Sequence, residues 1–366
     1  MTRRGYPILR VFCEGWEAFQ SALPWPKTSS GARNERRLQY NPLTSMRKAI
    51  LLYNPLSGSR RERRLADVEA AMTVLRTVGV EVSAEPTSAS GDDRRQTHQA
   101  ITDGCDTVFA CGGDGTVHDV LQGLVGSQTA LGIIPLGTAN ALAHDLGLPL
   151  SPAAAARASL TATPRRIAVG QVTYQKLSSG SGSRYFTVTV GVGADAHLFY
   201  KLDPLVKNRF GMAAYYAKAT LLWLTLKLEN LAVEILDEGG GQTGQIEVSQ
   251  LLAVRIREFG GILRELAPGA SLQRNDLRLV LFRTRSRVAY LRYILRGLFG
   301  AHWDVNGIEL LHCTKVNCHP LAVSGNSSKD SRIFVEADGE LLGTLPAEIS
   351  IVPDALTLLF PSGYGS

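Results

Sequence analysis

Between residues 46 and 165 the chain alternates short β-rich runs with helical patterns, and three of those runs end in small, polar, glycine-bearing loops. Ala49–Tyr53 leads into Asn54-Pro-Leu-Ser-Gly-Ser. Thr107–Ala110 leads into Cys-Gly-Gly-Asp-Gly-Thr at 111–116. Leu131–Ile134 leads into Pro135-Leu-Gly-Thr-Ala-Asn. A charged helix over about 60–78, a strand Val80–Ala84 and a polar helix around 92–103 fill the gaps. After the middle loop, Val117, Val120, Leu121 and Leu124 recur on one helical face. Strands and helices at this spacing predict a parallel sheet covered on both faces. In such a sheet the carboxyl ends of the strands line one edge, where ligands bind. Three bare loops at one edge would form one pocket, and packing alone requires none of them.

The composition of the middle loop narrows the ligand. Glycine lacks the Cβ that would keep backbone amides away from phosphate oxygens, and the following helix adds a positive dipole end. Asp114 in such a loop repels phosphate, so it points to Mg²⁺ or to a ligand hydroxyl. The loop is neither a G-x-x-x-x-G-K-[ST] P-loop nor G-x-G-x-x-G. A generic glycine turn is the competing explanation for this loop taken alone.

From about 166 the text changes to short β-rich runs separated by Gly/Ser turns, including Arg166–Tyr174, Tyr185–Val192, Ala232–Leu236, Gln245–Val254, Leu277–Phe282 and Ile333–Ala337. They predict an antiparallel, sandwich-like second domain over 166–345, interrupted by helices near 200–228 and 287–300. The segment at about 346–361 is a candidate to return to the first domain. Residues 1–45 carry no sustained period and are expected to be a disordered extension or a mis-assigned start, with Met46 opening the folded chain; a basic arm is the competing view. The fold class expected is therefore α/β plus all-β: a Rossmann-like parallel-sheet domain followed by an antiparallel β-sandwich.

Charge and cysteine content bound the surroundings. The net charge is +6, and ten arginines lie between 255 and 296. Such a stretch suits nucleic acid, an anionic membrane or a phosphorylated ligand, or is a solvated face. It has no interleaved aromatic stacking motif, which argues against nucleic acid. No apolar run is long enough to span a bilayer, and the five scattered cysteines suit a reducing compartment. In RVAYLRYILRGLF at 287–299, Arg292 and Arg296 lie one turn apart, with Val288, Leu291, Leu295 and Leu298 on another face. That is a basic amphipathic helix for docking on lipid, or a helix packed on the sandwich with solvated arginines. Paired His312-Cys313 and Cys318-His319 lack the spacing of a zinc site. His118 and His144 are expected at the edge of the pocket.

NPLSG at 54–58, GGDGT at 112–116, GIIPLGTAN at 132–140 and VEADGELLG at 335–343 resemble, in order, the diacylglycerol kinase catalytic-domain family. That family includes bacterial diacylglycerol and multi-substrate lipid kinases and the sphingosine kinases, and is related more distantly to NAD kinases. The resemblance spans about 46–361. It implies an ATP- and Mg²⁺-dependent lipid kinase, cytoplasmic and peripheral at the inner membrane face, with a possible homodimer. Diacylglycerol is the first choice of acceptor and a sphingoid base the second; a NAD-kinase-like phosphotransferase and a non-catalytic sensor are the rivals. By resemblance, Asn54, Ser57 and Gly58 border the nucleotide phosphates. Gly112, Gly113, Asp114, Gly115 and Thr116 form the main nucleotide loop, which Thr138 and Asn140 complete. Asp338 matches the general base. Glu340 matches the acid near metal and phosphates, making Asp114 and Glu340 the candidate metal ligands. The segment 201–228 would wall an acyl-chain cleft, or be a core helix.

The chain also departs from the family pattern. Asp119 stands where Glu is usual. Leu272-Gln-Arg-Asn-Asp276 replaces an Asp-Gly turn linked to a structural metal, which puts a second Mg²⁺ site in doubt. Arg255-Ile-Arg257 stands where an Asn is common.

Overall fold

The computed structural model describes residues 46–58, 61–87, 93–193, 228–236, 244–260, 265–299, 303–321 and 332–364. Residues 1–45 and the proposed acyl-chain wall, apart from Leu228, lie outside them.

The first half is a parallel sheet with helices. Strands β1 (Lys48–Tyr53), β2 (Glu81–Pro86), β3 (Thr107–Gly112) and β4 (Ala130–Pro135) pair in the spatial order β4-β3-β1-β2. Their registers are all parallel. Helix α1 (Arg64–Arg76) follows β1, α2 (Asp93–Thr102) follows β2, and α3 (Asp114–Leu124) follows β3. The short α4 (Ala141–Asp145) and α5 (Pro152–Leu160) come after β4. Both β3 and β4 are buried along their whole length, as strands covered on two faces must be. In α3 the apolar stripe Val117, Val120, Leu121 and Leu124 turns inward. The 3.6-residue period of those four positions is what makes the segment a helix rather than a continuation of the buried strand.

The second half is mostly antiparallel. It comprises β5 (Thr163–Lys176), β6 (Ser181–Phe186), β7 (Thr189–Gly193), β8 (Leu231–Leu236), β9 (Ile246–Val248), β10 (Gln250–Val254), β11 (Leu277–Phe282), β12 (Ile308–Cys313), β13 (Lys315–Pro320), β14 (Phe334–Ala337) and β15 (Glu340–Phe360), with α6 (Arg287–Phe299) between β11 and β12. Strand β15 joins the two halves. It begins as the partner of β14, continues antiparallel to β13 and β5, and ends parallel to β4 with Thr357 opposite Ala130. The sheet is thus continuous from β12 to β2. One core lies beneath the sandwich strands, around Phe186, Val192, Leu251 and Ile349. Another runs from β3 and β4 through α3 to Phe259 and Tyr293, so the halves share buried apolar surface. Cys313 and Cys318 are packed in the sandwich core.

Helix α6 differs from the sequence expectation. Its buried residues are Tyr290, Tyr293, Arg296 and Gly297. Arg296 faces inward, its guanidinium 5.4 Å from the Tyr293 ring centre. Val288, Leu291 and Phe299 point outward, at 66%, 48% and 75% exposure. The aromatic rings decide this: Tyr290 packs tilted and Tyr293 edge-on against Phe282 of β11, and that contact sets the helix rotation.

Candidate active site

The three glycine loops meet at the carboxyl ends of β1, β3 and β4. Leu136 and Gly137 donate their amides to the Gly112 carbonyl, and the Asn54 amide donates to the Cys111 carbonyl. Backbone touches backbone where the loops cross. A Cβ on Gly137 would fall 2.3 Å from the Gly113 Cα, so only glycine fits. Gly58 adopts a φ of 66°, which favours glycine, and its Cβ would strike the Leu136 carbonyl. Ser57 Oγ lies close to Gly113, at 3.6 Å from the position of a Cβ there.

Polar side chains lock this arrangement. Asn54 Oδ1 accepts from the Leu56 amide within its own turn. Asn140, at a φ of 51°, folds its amide group back onto Gly137, donating to that carbonyl and accepting from that N–H. Asp114 accepts the Ala141 amide at 2.7 Å and the Asn140 amide at 3.0 Å, tying the start of α3 to the start of α4. Burial pushes the Asp114 carboxyl up to about 6, against the pull of these amides. Thr116 is buried and packs over Gly112. Thr138 sits partly exposed on the loop between Gly137 and Asn140. So several residues assigned by resemblance to the ligand hold the loops in shape.

The sandwich half contributes the hairpin β14–β15, with Ala337 paired to Glu340 and Asp338-Gly339 at its tip. Asp338 has a φ of 45° and Gly339 of 83°, the two left-handed positions of a tight hairpin turn. The tip is carried into the first half. Glu340 Oε1 lies 2.9 Å from where a Gly115 Cβ would stand, so a side chain at Gly115 would displace the carboxylate. Asp338 is 2% exposed. Its Oδ1 accepts the amides of Val188 and Thr189 at 2.9 and 3.0 Å, and its Oδ2 the amide of Thr187 at 3.0 Å. Beside Oδ2, at 3.4 Å, is Nδ1 of His118. Burial alone would lower the His118 imidazole's pKa; the bond to Asp338 and the charges of Asp338, Asp119 and Glu340 outweigh it, and the net shift is upward.

Sequence reading placed His118 at the pocket edge but without its partner Asp338, and missed three further parts of this site, Gln122, Arg64 and Glu336. Asp114, His118 and Gln122 follow each other at four-residue intervals along α3, a polar stripe on one face of the helix. That periodicity was the available signal for His118 and for Gln122, whose amide group bonds both backbone groups of Tyr185. The second part is Arg64, 4% exposed, which donates to the Ser57 and Leu136 carbonyls and so bridges the first and third loops. Nothing in its local sequence separates it from the neighbouring arginines. The third is Glu336, buried under the turn and accepting from the Gly339 amide. His144 lies at the junction of the halves, against Gly260, rather than on the loops. Its neighbour Asp145 accepts from the amides of Arg257 and Glu258 and from the Tyr364 hydroxyl. A separate cavity lined by Asp106, Thr107, Ala130 and Leu359 opens at the opposite ends of the strands and is no part of the site.

At the segment 272–276, where the departure from the family pattern puts a structural metal in doubt, the guanidinium of Arg255 stands. Arg255 is fully buried and donates to the carbonyls of Ala168, Leu272, Arg274 and Asp276. Burial lowers its pKa to about 10, still charged near neutrality. The Asp276 carboxylate pairs with Arg274 and His312 instead. Among the described residues no group of three or more His, Cys, Asp and Glu side chains is placed to hold a metal unaided.

Comparison with known proteins agrees with this architecture. Residues 48–172 match the model of the diacylglycerol kinase catalytic domain, and 188–360 match that of the YegS C-terminal NAD kinase beta sandwich-like domain. The Bacillus subtilis (strain 168) protein named diacylglycerol kinase is 29% identical over 83% of this chain and 93% of its own length. A Mycobacterium tuberculosis protein of the same name is 29% identical over 86% of this chain and 95% of its own. A crystal structure of a diacylglycerol kinase from Bacillus anthracis superposes with a TM-score of 0.62 at 19% identity, covering 88% of this chain and 99% of that one, which establishes the shared fold. With both family models matched in order across most of its length, the chain belongs to the diacylglycerol kinase catalytic-domain family of lipid kinases.

Proposed function

We propose that this protein transfers the γ-phosphate of ATP to the free hydroxyl of a membrane lipid, with diacylglycerol as acceptor and phosphatidic acid as product. The observation that carries this reading is the meeting of Glu340 and Asp338, from the sandwich, with the glycine loops of the parallel sheet. Phosphoryl transfer needs a cradle for the triphosphate on one side and an acid–base group for the hydroxyl on the other.

The donor side is the crossing of the three loops, where Gly113 and Gly137 let the backbones meet at partly exposed positions and the N-terminus of α3 adds its dipole. Asp114 and Glu340 would hold Mg²⁺. Two carboxylates plus substrate phosphates are the usual donor set for that ion. When bound, the ion offsets the charge of the phosphates. Asp338 takes the hydroxyl proton. Its Oδ1 is filled by two short bonds; Oδ2 has one short bond and the slacker one to His118, so Oδ2 is the oxygen with capacity for the acceptor hydroxyl.

The acceptor would be met at a lipid surface. The outward stripe of α6, Val288, Leu291 and Phe299 with Trp303 beyond, lies beside the exposed Arg283, Arg285 and Arg292. Apolar side chains flanked by arginines suit the interface of an anionic bilayer.

A labelled-ATP screen over dioleoylglycerol, sphingosine, monoacylglycerol and NAD tests the assignment. Label in phosphatidic acid is expected. Transfer to NAD without lipid, or ATP binding with no transfer to any acceptor, would overturn it.

A further inference from the structure

We infer that His118 is a positioning residue, holding the Asp338 carboxylate in register with the nucleotide loops; this rests on the reading of Asp338 as the base. The donors around Asp338 divide by origin. Three are backbone amides of Thr187, Val188 and Thr189, at the start of β7 in the sandwich half. They fix the carboxylate relative to that half alone. The fourth, His118 Nδ1, comes from α3, the helix that begins at the main glycine loop. Asp114 stands one turn before it on the same face and is bonded to the third loop. His118 is therefore the side chain through which the loop helix touches the acceptor-side carboxylate directly.

The price of this contact is visible in the ring. His118 is 2% exposed, and its Nε2 is buried with no hydrogen-bond partner among the described residues. A leucine would fill the same helix face without an orphaned nitrogen. What the imidazole adds is the Nδ1 donor. With Asp338 ionised, Nδ1 carries the proton shared between the two side chains. At 3.4 Å the bond is longer than the usual N–H···O range, which leaves Oδ2 open to a further donor.

Two substitutions separate this role from simple core filling. His118→Asn places an amide N–H near the position of Nδ1 and discards Nε2. His118→Leu keeps volume and discards both. With ATP and dioleoylglycerol in mixed micelles, His118→Leu is expected to lower kcat about 10–100-fold, the usual loss when a supporting partner is removed. KM for ATP should stay within about twofold, since a contact felt at the reacting end leaves donor binding alone. His118→Asn should recover kcat to within about threefold of the parent, with both variants folded by circular dichroism and melting near the parent temperature. An unchanged kcat in His118→Leu would overturn the inference. So would a His118→Asn as slow as His118→Leu, which would make Nε2 the working nitrogen. Asp338→Asn measured in parallel separates the two claims. A fully active Asp338→Asn removes the base assignment, whereas an inactive Asp338→Asn beside an active His118→Leu removes only the coupling.

Discussion

Replacing Asp338 by asparagine changes one atom, yet the structure predicts a large loss of stability as well as of activity. The carboxylate receives three backbone amides in a buried site. An asparagine can turn its single oxygen toward Val188 and Thr189, but its NH₂ then faces the Thr187 N–H and His118. Hydrogen bonds to a charged acceptor contribute about 1.5–3 kcal/mol each and neutral ones about 1, while an orphaned buried amide costs about 1–3 kcal/mol. With partial relaxation the net change is about 3 kcal/mol. For a cooperative unit of roughly 320 residues that corresponds to a fall in melting midpoint of roughly 4–5 °C. The assay is thermal unfolding by circular dichroism, paired with labelled-ATP kinetics well below both midpoints. There the variant should be folded and slower by about 10²–10⁴-fold, the range for loss of a general base. An unchanged midpoint would refute the amide cluster, and full activity in the folded variant would refute the base.

Other consequences are as direct. Because the folded-state pKa of Asp114 is about 6, above the ordinary 3.8, the folded chain binds the extra proton between those values, and ionising it costs stability. Stability should therefore fall as pH rises from about 4 to about 6, and Asp114→Asn should flatten that slope in urea titrations at each pH. Arg255→Met should destabilise by about 3–5 kcal/mol, because four buried carbonyls lose a charged donor; chemical denaturation measures it, and a change under 1 kcal/mol would contradict the geometry. Leu291→Ser with Phe299→Ser should reduce cosedimentation with phosphatidylglycerol vesicles about tenfold or more, while turnover on a short-chain acceptor below its aggregation threshold is unchanged.

Much of this fold was readable because the signals are local. The buried strands β3 and β4 announce themselves by apolar runs ending in glycine, and α3 by the period of Val117, Val120, Leu121 and Leu124. Asp338-Gly339 is a hairpin tip for reasons contained in two residues. What escaped depends on contacts distant in sequence. Asp338 and His118 are 220 positions apart, and Arg64 and Leu136 are 72. The rotation of α6 is set by Phe282 rather than by the arginine spacing, so an aromatic pair overrode the charge pattern. Likewise Asn140 is needed where it is, but for a bond to Gly137 that no linear motif displays.

Arg255 carries a consequence beyond its own loop. An inorganic ion at that place could leave, and its residence would follow the supply of the ion around the protein. A guanidinium is attached through the backbone and is present from the moment the chain is made. Scarcity of divalent ions therefore leaves in place the charge that gathers the carbonyls of Ala168, Leu272, Arg274 and Asp276.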